Sequence, residues 1–325
     1  MNRLSKALCK SSTLTSLDLS YNILGSEGGK SLADALCNNF TLKDLNLRYN
    51  KLELKGEKAL ANALCKNSTL TSLDLSWNEF GSKGGKVLAD ALCINTTLIS
   101  LDISWNKFGP EGRKVLTDSF CENTMLTSLN LGGGGKELAN ALCKNSTLKY
   151  LNLSYNNLGS EGGKALADAL CKNSTLKDLN LRYNNLGSEG GKLLAVALCK
   201  NKTLTSLNLY NNKLRSEGGK ELTYALCRNF TLASLNLGEK ALANALCKNS
   251  TLTFLDVSWN KFRSGGGKVL ANALYKNTTL TSLNLGGNNL GLERGKALAD
   301  ALCKNSTLTS LDLCDNVLGS EKGKY

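Results

Sequence analysis

Two hydrophobic periods alternate along this chain. In LKYLNLSYNNLGSEGGKALADALCKNST, residues 148–175, Leu151 and Leu153 alternate with Tyr150, Asn152 and Ser154. That period of two predicts a short strand with its apolar side chains on one face. Past Leu158 the spacing changes, and Leu158, Gly162, Leu166, Ala169 and Leu170 fall on one face of a helix. Ser160 stands where an N-cap is expected, with Glu161 in the first turn, where negative charge suits the helix dipole. Asn173, beyond the last apolar position, predicts a left-handed helix stop. The unit is therefore strand, loop, helix, loop. It can bury its apolar face only against another copy of itself.

Copies fill the chain. Marker leucines at Leu14, Leu42, Leu70, Leu98, Leu126, Leu148, Leu176, Leu204, Leu232, Leu252, Leu280 and Leu308 predict twelve strands. They are 28 residues apart except at two short repeats of 22 and 20 residues, 126–147 and 232–251. There LNLG runs into the helix pattern without the usual turn, so both are expected to be kinks or soft points. GEKALANALCKNSTLT occurs identically at Gly56–Thr71 and Gly238–Thr253, a sign of array expansion. Neither end shows a polar cap, as would be expected of a piece of a longer array.

The strings LxxLxLxxNxLG, EGGK and LADALC resemble the leucine-rich repeat, in the long form found in ribonuclease inhibitors and in the C-terminal arrays of NOD-like receptors. The resemblance implies an α/β solenoid forming one domain, 1–325, and a protein-binding function. It also implies that Asn22, Asn50, Asn78, Asn106, Asn156, Asn184, Asn212, Asn260, Asn288 and Asn316 satisfy backbone groups in a buried turn. Parallel strands sit about 4.8 Å apart and helices about 8–10 Å apart, which predicts a horseshoe with strands on the concave face and helices on the convex face.

Composition narrows the chemistry. No run of eighteen apolar residues exists, so no membrane span is expected, and MNRLSKALCKSSTL does not read as a signal peptide. Eleven of the twelve cysteines share one slot after the helix, and in one repeat that slot holds Tyr275. This predicts small buried thiols rather than disulfides, and hence a reducing compartment, the cytoplasm. Without histidine or CxxC, neither metal nor cofactor is expected. GSEGGKS, Gly25 to Ser31, is one residue short of a phosphate-binding loop and recurs as a helix start. Ten NxS/T sequons coincide with the helix stop and read as turn chemistry. No Cys, Ser or Asp departs from its repeat column, so no enzyme is expected. The alternatives left by the resemblance are the ligand-sensing region of a NOD-like receptor and a Ran-type GTPase-activating protein.

The formal net charge of +13 suggests nucleic acid until its distribution is mapped. Lysines recur at the helix start (Lys30, Lys58, Lys86, Lys164, Lys192, Lys220, Lys268, Lys296) and the helix end (Lys66, Lys144, Lys172, Lys200, Lys248, Lys304), on the outer face or rim. Outward strand positions and their following turns instead carry Asp18, Asp44, Asp74, Asp102, Asp178, Asp256, Asp312, Asp315 and Glu239, against Arg48 and Arg182. The column before the turn asparagine holds Tyr21, Tyr49, Trp77, Trp105, Tyr155, Tyr183 and Trp259, including all three tryptophans. Tyr150, Tyr210 and Phe254 join that face. Aromatic rings among charges predict a protein interface, although the rings could also stack on one another. The expected partner is a basic protein held by those seven rings with Asp74, Asp102, Asp178 and Asp256. Nucleic acid is not expected to bind.

Overall fold

The computed structural model describes residues 2–133, 142, 144–237, 246–260 and 266–318. Chain folding produces two compact units, 1–156 and 157–325. In the first, α1 (Asn2–Lys10), β1 (Ser16–Asp18), α2 (Gly25–Leu36), β2 (Asp44–Asn46), α3 (Glu53–Lys66), β3 (Ser72–Asp74), α4 (Ser82–Ile94), β4 (Ser100–Asp102), α5 (Gly109–Glu122), β5 (Ser128–Asn130) and β6 (Tyr150–Asn152) follow in order. The second holds α6 (Gly159–Leu170), β7 (Asp178–Asn180), α7 (Gly187–Lys200), β8 (Ser206–Asn208), α8 (Arg215–Leu226), β9 (Ser234–Asn236), β10 (Phe254–Asp256), α9 (Gly266–Lys276), β11 (Ser282–Asn284), α10 (Gly291–Leu302) and β12 (Ser310–Asp312). Within each unit, consecutive strands pair parallel and in register, leucine against leucine.

Each strand turns one leucine inward, such as Leu45, and presents its two flanking residues on the opposite face. The helix answers with a stripe of Leu and Ala; α2 buries Leu32, Ala33, Ala35 and Leu36. Small residues bring neighbouring helices together. A Cβ on Gly29 would lie 3.0 Å from the Gly56 Cα, so α2 and α3 pack backbone to backbone at that point.

Two ladders of buried asparagine amides join the repeats. In the turn ladder, Asn78 Nδ2 donates to Leu47 O of the preceding repeat at 2.8 Å and to Leu75 O of its own at 3.1 Å. Its Oδ1 accepts from the Asn50 backbone N–H at 3.0 Å. The expected turn role of these asparagines is thus observed, and it extends between repeats. A second ladder runs through the helix-end asparagines. Asn95 Nδ2 donates to Leu64 O at 2.8 Å, and its Oδ1 accepts from the Leu98 N–H at 2.8 Å.

Both ladders cross the two short repeats. Asn156 bonds Leu131 O and Asn260 bonds Leu237 O, each at 3.0 Å. Strand register is also kept, with Ser128 opposite Tyr150 and Ser234 opposite Phe254. Each short repeat lacks its own turn asparagine, and Asn260 Oδ1 is left without a hydrogen-bond partner, yet the sheet passes each deletion without a slip. The helical parts of these repeats, and Glu239, lie outside the described residues.

Three expectations need correction. Ser160 is not an N-cap: α6 starts at Gly159, and the preceding Leu158 is already helical with no side-chain cap bond. Gly159, at φ +62°, turns its N–H to Asn184 O of the next repeat, so the loop enters the helix one residue earlier than expected. Helix-end asparagines are not left-handed. Asn67, Asn95, Asn123 and Asn201 are extended, near φ −70°, because the side chain rather than the backbone ends the helix by bridging to the previous repeat.

The cysteine slot is not buried either. Cys93, Cys171 and Cys303 are exposed, while Cys9, Cys37, Cys65, Cys121, Cys199, Cys227 and Cys247 are half-buried; Cys143 lies outside the described residues. The slot follows the last inward leucine, about 100° further round the helix, and so flanks the apolar stripe. No described cysteine is in a disulfide, and burial pushes the Cys65 and Cys93 thiols up, keeping them protonated.

Glu57 interrupts the glycine column. Its side chain is buried, its Oε2 has no hydrogen-bond partner, and that oxygen occupies space that a Cβ on Gly84 would need. Burial pushes its carboxyl up to about 7.

These features give three expected outcomes. Asn78→Ala removes the donor to three carbonyls and the acceptor for Asn50 N–H. It should destabilise the fold by about 3 kcal/mol in urea titration, with faster amide exchange in the flanking turns. Glu57 holds its proton in the folded chain, so its contribution is intact below about pH 4.5 and is lost as pH rises through about 7. Glu57→Gln should therefore match wild type at pH 4 and be more stable at pH 8 by roughly 2–3 kcal/mol. In thiol titration of the native protein, Cys93, Cys171, Cys303 and Cys314 should react first and the half-buried set more slowly.

Candidate protein-binding face

Turn geometry fixes the aromatic column. Tyr21, Tyr49, Trp77, Trp105, Tyr155, Tyr183 and Trp259 all have φ between +56° and +59°, in the left-handed region. For a residue with a Cβ that conformation costs about 1–2 kcal/mol. The same slot elsewhere holds Gly133, Asn211, Gly287 and Asp315, residue types that tolerate it. The aromatic residues occupy it because the turn aims the slot's side chain over the sheet face.

In the first unit the rings form a continuous file. Centroids lie 5.2 Å apart for Tyr21 and Tyr49, 6.5 Å for Tyr49 and Trp77, 4.9 Å for Trp77 and Trp105, and 5.4 Å for Trp105 and Tyr155. Trp105 leans across Gly133, where a Cβ would come within 3.1 Å of the indole. The stacking alternative raised by the sequence is therefore observed, but it leaves Tyr21, Tyr49, Trp105 and Tyr155 exposed. The Trp77 Nε1 has no hydrogen-bond partner. In the second unit Tyr183 and Tyr210 meet edge to face at 5.7 Å, and Trp259 is 61% exposed.

Two arginines already sit against these rings, a role the sequence did not suggest. The Arg48 guanidinium lies 6.0 Å from the Tyr21 ring and 5.8 Å from Trp77, and its Nε donates to Tyr21 Oη at 3.1 Å. Arg182 lies 4.9 Å from Tyr183 and 4.8 Å from Tyr210. The Tyr183 hydroxyl titrates below its ordinary value because Asn211 and Arg182 hydrogen-bond it, while burial raises that of Tyr210.

The aspartates have local duties as well. Asp74 Oδ1 accepts from the Ser76 N–H at 2.8 Å, Asp102 Oδ1 from Ser104 at 2.9 Å and Asp256 Oδ1 from Ser258 at 2.9 Å, each closing the turn that carries the ring. Asp102 Oδ2 also accepts from Asn130 Nδ2 at 2.7 Å. Burial raises the Asp102 carboxyl above its ordinary range, and the charge of Asp74 adds to this against the hydrogen bonds. Asp178 is half-buried at the outward end of β7. The candidate residues of each unit thus share its sheet face, rings after the strands and carboxylates on them.

A groove of about 620 Å³ opens between the starts of α3 and α4, lined by Lys51, Glu53, Glu57, Glu79, Ser82 and Lys83 among others. No group of three His, Cys, Asp or Glu side chains among the described residues could hold a metal there or elsewhere. No described helix is long and apolar enough to cross a membrane.

The leucine-rich repeat family model matches residues 10–33, 38–61, 66–89, 95–116, 144–167, 172–195, 200–222, 248–271, 276–299 and 304–321. Among solved structures the chain is similar to the leucine-rich repeat-containing protein LegL7 from Legionella pneumophila, at 24% identity and TM-score 0.54, covering 93% of each chain. It is also similar to a chain of the Rad7–Elc1 complex of yeast, at 19% identity and TM-score 0.52, covering 95% of this chain and 87% of that one. No curated protein matches it in sequence. Family matches along most of the length, parallel leucine strands in register and a buried asparagine in turn after turn lead to one statement: this chain belongs to the leucine-rich repeat family.

Proposed function

We propose that the protein is a non-enzymatic interaction scaffold, similar in use to ribonuclease inhibitor, that binds a basic partner protein on its sheet face. The observation that carries this reading is the aromatic column itself. Seven rings occupy left-handed backbone positions that glycine or asparagine fills at less cost, and most stay exposed. Carboxylates line the same strands in a molecule of net charge +13, so the face is complementary to a cationic surface. On the helical side Lys86, Lys192 and Lys296 are engaged with glutamates, Lys192 with Glu217 at 3.2 Å.

The same reading places the protein in the cytoplasm. The asparagines of the helix-end sequons are buried except the half-buried Asn305, and their amides bond backbone on both sides, as Asn67 does with Leu36 O at 2.8 Å and Leu70 N at 2.8 Å. A glycan on such an amide is incompatible with the ladder. That chemistry suits a compartment where sequons are not modified.

Rings and carboxylates should act at different stages of binding. Exposed ion pairs contribute about 0–1 kcal/mol each and chiefly speed encounter at low salt. Aromatic anchors can cost about 2 kcal/mol or more when truncated. Once a partner is isolated by affinity capture and mass spectrometry, Trp77→Ala with Trp105→Ala should chiefly speed dissociation in surface plasmon resonance. Asp74→Asn with Asp102→Asn should chiefly slow association and flatten its salt dependence. Normal binding by both double variants, with loss on changing the outer lysines, would overturn the reading.

A further inference from the structure

Trp259 differs from the other two tryptophans. Trp77 and Trp105 stack on each other, whereas Trp259 lies flat over Gly287 and has no neighbouring ring within stacking distance among the described residues. A Cβ on Gly287 would come within 2.5 Å of the indole, so glycine at this slot is what lets the ring lie down. With one face on the backbone and 61% of the residue exposed, the other face is open to solvent.

The next position in the same column is an acid. Gly287 N–H donates to Cys314 O at 2.9 Å, which puts Asp315 one strand spacing beyond the glycine that the ring covers. Asp315 is exposed, and Asp312 presents a second exposed carboxylate on the adjoining strand. Asp312 Oδ1 accepts from the Cys314 N–H at 2.9 Å, and this bond, with the Cys314 thiol, holds its carboxyl below the usual range. Asp256 closes the near side, on the strand that leads into Trp259.

An open indole face bordered by carboxylates is a site for a cation. Its shape selects among cations. An alkylated ammonium is normally held inside several rings, whereas a planar guanidinium stacks on a single ring and directs its fork of N–H groups sideways to carboxylates. Arg182 shows the same contact within this unit, 4.9 and 4.8 Å from two tyrosine rings. We propose that Trp259, Asp312 and Asp315 form a subsite for an arginine side chain of the partner protein. This rests on the sheet face being the binding surface and specifies what one part of it reads.

Fluorescein-labelled hexa-arginine, hexa-lysine and hexa-citrulline, titrated by anisotropy into the full chain at 0.15 M salt, test the subsite. Hexa-arginine should bind about tenfold more tightly than hexa-lysine, the size of one guanidinium–indole contact, and hexa-citrulline should not bind. Trp259→Leu should remove that preference, and Asp315→Asn should weaken hexa-arginine about threefold. Both side chains are exposed, and unchanged circular dichroism and thermal midpoint would show that the variants fold. Equal affinity for arginine and lysine peptides, or full preference retained in Trp259→Leu, overturns the subsite. If Trp77→Ala with Trp105→Ala or Asp74→Asn still weakens both peptides in that case, the sheet-face reading survives without it. If no sheet-face change alters binding, both fail.

Discussion

Everything in this fold depends on satisfying backbone groups where one repeat meets the next. A three-residue strand and a twelve-residue helix leave most of their connecting backbone without regular partners, and much of it is buried. Asparagine solves this because its amide carries donors and an acceptor on one short arm. In the turn ladder the donors reach two repeats and the acceptor receives the N–H of the previous turn, as Asn78 does with Leu47, Leu75 and Asn50. Leucine supplies the burial, but the amides set spacing and register. A leucine could slide past its neighbour at small cost, whereas a misplaced buried amide leaves several groups unpaired.

The binding face follows from that constraint. Threading the turn asparagine between repeats requires left-handed backbone just before it, and the residue there cannot turn inward because the amide fills the space beneath. Its side chain has to lie over the sheet. Aromatic residues then stack along the strand spacing, close to the distance at which rings attract. The acidic strand ends are tied in the same way, since each aspartate side chain closes the turn that raises the next ring.

Strands, helices, repeat count and turn asparagines were legible because each is a direct product of period and side-chain chemistry. Leu151, Leu153 and Asn156 carry that information by themselves. The helix start was misplaced because Ser160 has the right composition for a cap, while the decision belongs to Gly159 and its bond to a different repeat. Cysteine burial was misjudged from interchange with Tyr275, yet that tyrosine is itself 52% exposed, so the exchange marked a permissive surface slot. The left-handed character of the ring column was available in principle. Gly133, Asn211, Gly287 and Asp315 in the aromatic slot are the substitutions such backbone invites. The ring-bound arginines depend on where side chains settle across repeats, which no period encodes.

Between full-length repeats the turn bonds recur unchanged. Asn50 to Asn78, Asn78 to Asn106 and Asn184 to Asn212 present one donor–acceptor arrangement, reproduced within tenths of an ångström. The chain is therefore joined by interchangeable couplings, and whole units can be duplicated or removed with no new junction to invent. The identical stretch at Gly56–Thr71 and Gly238–Thr253 is what such a gene would accumulate. Length, and with it the number of ring and carboxylate positions offered to a partner, becomes a quantity that recombination can adjust in steps while the core stays unaltered.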